Sequence, residues 1–245
     1  MRLDIYLAQC GLARSRTEAS RLIKEGCVLL CGSVCTTPSR DVPDDGDVQV
    51  DRSGYRYVSR GGLKLEAALN HFGISPVGQI ALDIGASTGG FTDCLLQFGA
   101  KKVYALENGH GQLAEELLSR TDVVNMEHFN AREMRASDFS DPITFVTMDV
   151  SFISQTLILP AIAEVLCDGG TLVTLIKPQF EVGKQGIGRG GIVKNEKLRA
   201  QAVREVCEFA SRSGFLVHGV IESPIRGGDG NVEYLGYFTR EERKA

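Results

Sequence analysis

The stretch Ala81-Leu-Asp-Ile-Gly-Ala-Ser-Thr-Gly-Gly-Phe-Thr92 decides how this chain is read. Gln79 to Ile84 is an apolar run of strand type, a turn rich in Gly and small residues follows, and Phe91 to Phe98 has helical spacing. A strand, a glycine turn and a helix in that order make a nucleotide-type ligand site. Gly85, Gly89 and Gly90 lack a Cβ, which allows positive φ and close approach of a ligand to the backbone. No Gly-Lys-Ser/Thr follows, so this is not a Walker A loop. Nor does Gly85 to Gly90, reading G-A-S-T-G-G, match the G-x-G-x-x-G of dinucleotide binders.

The acids around the turn narrow the ligand. Asp83 stands near the end of the strand and Glu107 one strand later. Carboxylates there repel phosphate but suit an amino-bearing or cationic ligand with a free ribose diol, and S-adenosylmethionine fits that description. The turn Gly85 to Gly90, with Ala86, Ser87 and Gly89, is then expected to pass under its methionine part, and Phe91, Thr92 and Asp149 are expected to bind the cofactor as well. Asp83 is expected near its amino group, Glu107 on the ribose diol and Asn130, after the third strand, near the adenine edge.

A chain of 245 residues has room for a large and a small domain. Its net charge of −4 gives no global attraction to nucleic acid, so any such contact needs a local basic patch. No apolar run approaches membrane-spanning length, and Met1-Arg2-Leu3-Asp4 is unlike an export signal; a cytoplasmic monomer without membrane contact is expected. Seven cysteines, an odd number, then read as reduced thiols. Cys27, Cys31 and Cys35 have neither paired metal-site spacing nor a neighbouring His, so they are taken as small apolar fillers and no metal is expected. Cys94, Cys167 and Cys207 sit in helical patterns and read as core.

Residues 1–58 form a separate α+β unit with its linker. Leu3, Ile5, Leu7 and Leu12 begin an apolar pattern, and a helix opens at Arg14–Ala19 with Ser15 as N-cap and Glu18 three residues on. Short strands at Cys27–Leu30 and Ser33–Cys35 turn at Cys31-Gly32, and an acidic loop leads to Val48–Val50. Arg2, Arg14, Arg16, Arg21 and Lys24 gather in the first half, a basic face able to meet phosphate oxygens. The residues Leu12 to Ala19, Ile23 and Gly26 to Val28 resemble the αL RNA-binding domain of a small-subunit ribosomal protein and of many RNA-modifying enzymes. That resemblance implies RNA binding, with Ser15 on the same surface.

Residues 59–245 alternate strand and helix. Strands are expected at 79–84, 102–106, 123–126, 143–149, 171–176, 215–222 and 233–239, and helices near 91–98, 112–119, 153–166 and 196–213. Pro160 should kink the third of these helices or start a new turn. The pattern means an α/β, doubly wound, Rossmann-like sheet, mostly parallel, with the last two strands an antiparallel hairpin at one edge. Ligands of such sheets sit at the carboxyl ends of strands. There the sequence delivers Asp83, Asp149 and Lys177, with Glu233 at the start of the last strand and Lys64 on the helix before the sheet. The loop Glu181–Lys194, with Lys184, Arg189 and five glycines, looks suited to closing over RNA.

In order and context, Lys64, Asp149, Lys177 and Glu233 resemble the Lys-Asp-Lys-Glu tetrad of the FtsJ-like ribose 2′-O-methyltransferases. With Ser59-Arg60-Gly61-Gly62, Asp149-Val-Ser-Phe-Ile153 and Lys177-Pro-Gln-Phe-Glu181, the whole chain is similar to the TlyA family, often labelled hemolysins. The resemblance implies S-adenosylmethionine-dependent 2′-O-methylation of a ribosomal RNA cytidine, with ribosomal RNA or a ribosomal subunit as partner and Arg60 beside the RNA. It implies that Lys177 steers and deprotonates the 2′-hydroxyl, with Glu233 orienting Lys64; which lysine is the base stays open. An Asp often replaces Glu107 in that family, and a Tyr replaces His110. The short termini resemble the members that modify the large subunit alone. A membrane-active hemolysin is the competing reading, and no basic amphipathic helix supports it.

Overall fold

Leu3 and Leu7 lie one helical turn apart and are both fully buried, so the first apolar pattern is a helix, α1 (Leu3–Gln9). The computed structural model describes residues 1–13, 15–24, 26–51, 56–183, 186–228 and 230–242, without the side chains of Arg21 and Arg189. It divides into two units, Met1–Arg56 and Tyr57–Ala245. In the first, α1 and α2 (Arg16–Lys24) pack with β1 (Val28–Leu30), β2 (Ser33–Val34) and β3 (Val48–Val50), an antiparallel sheet in the order β2-β1-β3. Leu3, Leu7, Ala19, Leu22, Ile23 and Val28 make its core. Cys31 and Gly32 both have positive φ, as a tight two-residue hairpin requires. Cys31 is therefore an exposed turn residue; of the three cysteines only Cys27 is fully buried.

The second unit begins with α3 (Gly61–Phe72) and continues through β4 (Ile80–Ile84), α4 (Gly90–Gln97), β5 (Lys102–Leu106), α5 (Glu115–Leu118) and β6 (Val123–Met126). Then come β7 (Ile143–Met148), α6 (Leu159–Val165), β8 (Leu166–Ile176), α7 (Pro178–Glu181), α8 (Glu196–Arg212), β9 (Phe215–Glu222) and β10 (Tyr234–Arg240). Its seven strands run in the order β6-β5-β4-β7-β8-β10-β9, all parallel except β10, which is antiparallel to both neighbours. The strand order reverses between β4 and β7, and their carboxyl ends are therefore the crevice of the sheet. Ala81, Phe145, Val173 and Leu235 face one apolar layer; Leu82, Val146, Leu172 and Phe238 face the other. Central strands buried on both faces explain why they read as continuous apolar runs.

Three elements differ from the sequence reading. Pro160 lies in the first turn of α6, and the expected helix 153–166 is split into a 3₁₀ turn at Gln155–Leu157 and α6. Proline has no N–H to give a helix interior, so it starts one instead. The expected helix 112–119 shortens to α5, because Ala114 is extended and its N–H goes to the Thr88 carbonyl. Cys167 lies on β8, which begins ahead of its Gly169-Gly170 irregularity, rather than in a helix.

Candidate active site

The glycine turn is held from below and from the side. Gly85 (φ +80°) and Ala86 give their N–H groups to the Leu106 carbonyl, joining the ends of β4 and β5. A Cβ on Gly85 would run into the Asp149 carbonyl, so the turn lies against the end of β7. Gly89 (φ +94°) begins α4 and has no room for a Cβ against Leu117, while Gly90 is pressed against Ser59. These two glycines serve packing, and Ala86, Phe91 and Thr92 are buried. Of the turn residues, Gly85 and Ser87 line the cavity beside them, a space of about 860 Å³.

Glu107 closes that cavity at the end of β5. Its carboxylate accepts the N–H of Ser87 at 3.0 Å and of Gly109 at 2.8 Å, and Ser87, itself at φ +47°, donates its hydroxyl to Gln112. Asn130 also lines the cavity and caps a 3₁₀ turn through the N–H of Arg132. Ile84, Leu106, Phe129, Ile153 and Ile158 supply apolar walls, and Asp149 supplies a second carboxylate. His110 is an exposed loop residue, stacked on His128 and bonded to Glu127.

Asp83 lies beneath this surface and is not among the lining residues. It is fully buried, accepting hydrogen bonds from Thr92 at 2.7 Å and Thr147 at 2.9 Å. Burial pushes its carboxyl up to about 6; the two hydroxyls oppose that shift and the charge of Asp149 adds to it. In the structure its carboxylate ties α4 to β4 and β7 beneath the turn, while the contact expected with a ligand amino group remains a proposal.

The four charged residues at the sheet edge form two pairs. Lys64 Nζ on α3 meets Glu233 Oε2 at 2.6 Å, and both side chains are nearly closed to solvent. Lys177 Nζ stands 2.5 Å from Asp149 Oδ1 and donates a hydrogen bond to Ser151 Oγ at 2.9 Å. The pairs are adjacent through the sheet: Tyr234, next to Glu233, faces Ile176, next to Lys177. Asp149 belongs both to a pair and to the cavity wall. One site therefore offers a ligand cavity, two carboxylates on it, and an amine held at its edge.

Several supporting residues escape the sequence reading. Gln155 is buried and bonds β8 through Leu175 and Thr174, and Glu181 accepts from Ser154 and from the Gln155 N–H. Asn231 is buried and joins Gly191 and Val193. Polar residues inside loops carry no periodic signal; Glu181 and Ser151 were at least inside the quoted motifs.

In the first unit the buried Asp4 gathers two of the expected RNA-binding arginines, Arg2 at 3.0 Å and Arg16 at 2.9 Å. Both guanidiniums stay about half open to solvent. Ser15 caps α2 by accepting the N–H of Glu18. Lys24 is exposed and Arg60 is half-buried at the start of α3. Arg14 and Lys184, like the side chains of Arg21 and Arg189, lie outside the described residues.

Residues 57–240 match the FtsJ-like methyltransferase family model. The chain belongs to that family. Residues 1–48 match the S4 domain. Over 96% of its length the chain is 44% identical to "Putative rRNA methyltransferase YqxC" of Bacillus subtilis, covering 84% of that protein. It is 41% identical over its full length to "16S/23S rRNA (cytidine-2'-O)-methyltransferase TlyA" of Mycobacterium tuberculosis, covering 91% of it. A solved structure titled "Putative hemolysin from Streptococcus thermophilus" is 42% identical, with a TM-score of 0.80 over 99% of this chain and 89% of that one. This methyltransferase has, among the described residues, no helix long and apolar enough to cross a membrane and no cluster of three or more metal-ligating side chains.

Proposed function

We propose that this chain methylates the ribose 2′-oxygen of a cytidine in ribosomal RNA, using S-adenosylmethionine. The observation that carries the reading is the double role of Asp149, which lines the cavity and pairs with Lys177 at its edge. Cavity size supports a nucleoside-sized ligand, since such sites commonly span roughly 300–1,000 Å³. The donor set fits too: a Gly85 backbone with no room for a side chain, Glu107 for a diol, and apolar walls for a base. When bound, S-adenosylmethionine supplies an electrophilic methyl: the 2′-oxygen takes the carbon, the S–C bond breaks with its pair left on sulfur, and the hydroxyl proton is left to the protein.

Lys177 takes that proton on the lone pair of its neutral amine, the form in which it can accept. It is the lysine whose partner lines the cavity, whereas Lys64 and Glu233 pair with each other and are not among the lining residues. The Lys64–Glu233 pair fixes the ribose side of the site, and Asp149 keeps the amine from wandering. The S4 domain grips folded RNA through Arg2, Arg16 and Lys24, with Arg14, Arg21, Arg60, Lys184 and Arg189 as further cations. The TlyA relative's name covers both ribosomal RNAs; the large subunit is the expected acceptor here.

The test is methyl transfer from labelled S-adenosylmethionine to separated ribosomal subunits that lack the modification. Label on large-subunit RNA, reduced about 10²–10⁴-fold in Lys177→Ala, is the expected result. Label on neither subunit, with cofactor bound, would remove ribosomal RNA as the substrate.

A further inference from the structure

Asp149 and Ser151 do different things to the Lys177 amine. The carboxylate faces it as a counter-charge, an attraction that varies slowly with angle, while the single hydrogen bond Lys177 donates goes to Ser151 Oγ. Among the described residues Nζ donates no other hydrogen bond. Ser151 also lines the cavity, so the residue that accepts from the amine belongs to the wall of the ligand space.

The backbone around Ser151 is built against its own preference. Phe152 has φ +64°, a left-handed conformation unusual for an aromatic residue, although its ring is 92% exposed and gains no burial there. The turn is pinned on its far side, where Glu181 accepts from Ser154 Oγ and the Gln155 N–H, and Gln155 is anchored to β8. Strain held by so many bonds marks a position that the surrounding structure over-determines. What this conformation fixes is the three-residue path from Asp149 on the cavity to Ser151 on Lys177.

The geometry points to Ser151 as a positioning residue for the transfer, its hydroxyl setting the direction in which Lys177 meets the 2′-hydroxyl. The inference rests on the reading of Lys177 as the proton acceptor. It requires no new chemistry, because serine neither gains nor loses a proton overall. It acts on the reacting geometry alone, and misdirection of a reacting group lowers turnover without weakening binding.

The experiment compares wild type, Ser151→Ala, Ser151→Thr and Lys177→Ala as full chains, measuring kcat and KM for ribosomal-subunit methylation, S-adenosylmethionine binding and melting temperature. Ser151→Ala is expected to lower kcat on the order of tenfold, with KM, cofactor affinity and melting temperature little changed. Ser151→Thr, which keeps the hydroxyl at an exposed position, is expected to recover most of the rate. An unchanged kcat in Ser151→Ala overturns the inference, and so does a threonine variant as slow as the alanine one. If Lys177→Ala stays active, the reading of Lys177 fails and takes this one with it; if Lys177→Ala is dead but Ser151→Ala is normal, only the role of Ser151 falls.

Discussion

Asp4 in the S4 domain and Asp83 under the methyltransferase turn are equally hidden, 2% and 0% exposed, yet are held in opposite ways. Two guanidiniums, Arg2 and Arg16, hold the Asp4 carboxyl well below the ordinary range, with the Arg2 hydrogen bond the largest cause. Asp83 has only neutral donors, the hydroxyls of Thr92 and Thr147 and the Thr92 backbone N–H, and burial carries its carboxyl up to about 6. The difference teaches that burial alone does not decide ionisation. At Asp83 the neutral donors only soften the loss of hydration, whereas at Asp4 two counter-charges reverse it.

Glu233 sharpens the comparison most, because it is 3% exposed and among the described residues its counter-charge is a single residue, Lys64. Lys64→Met would leave a buried carboxylate with less support than Asp83 has. Removing one partner of a buried pair typically costs about 3–5 kcal/mol. Denaturant unfolding followed in the methyltransferase domain should show a loss of that size. The double variant Lys64→Met/Glu233→Gln should recover the larger part of it while remaining unable to transfer methyl. A double variant as unstable as the single one would mean that packing of the lysine stem, not its charge, holds the site.

That pair was legible in the sequence only in part. The sheet could be read because buried parallel strands are continuous apolar runs, and Asp149 and Lys177 could be placed because each directly follows one, at Met148 and Ile176. Lys64 and Glu233 lie 169 residues apart, and no local pattern brings them together; the family resemblance did. Asp83 is legible as a strand-end acid, but a sequence does not say that Thr92 and Thr147 will close over it. Gly89 and Gly90 were read as a ligand turn, while Leu117 and Ser59 are what forbid a side chain there. Local geometry was visible; what packs across it was not.

Asp83→Asn tests the other side of the comparison. An amide keeps both threonine contacts, because each hydroxyl can donate to its oxygen or accept from its nitrogen. A carboxyl raised in the folded state contributes stability that is full below its unfolded value, 3.8, and lost as pH rises through about 6. The variant should therefore gain most at pH 8, up to roughly 3 kcal/mol for a shift of this size, and nothing near pH 4. Cofactor binding should change little, because Asp83 is off the cavity wall. Melting curves across pH in parallel with calorimetric cofactor titration would read both; a large loss of cofactor affinity would return Asp83 to the ligand.

Asp4→Asn should give the smallest effect and the opposite pH dependence. A carboxyl depressed in the folded state adds stability above its unfolded value, 3.8, and loses it as pH falls further toward the folded value. Arg2 and Arg16 remain about half open to solvent, so water recovers most of what they lose, and the cost at neutral pH should be about 1 kcal/mol or less. Native-state hydrogen exchange of α1 and α2 would isolate that cost from the rest of the chain. Faster exchange at pH 7 is expected, with the gap to wild type beginning to close only as pH falls below about 4. Asp4 also ties down two cations of the expected RNA surface, so its removal frees both guanidiniums for phosphate while loosening the helices that carry them. RNA affinity that rises in Asp4→Asn would mean that the acid competes with phosphate for the arginines; affinity that falls would mean that it presents them.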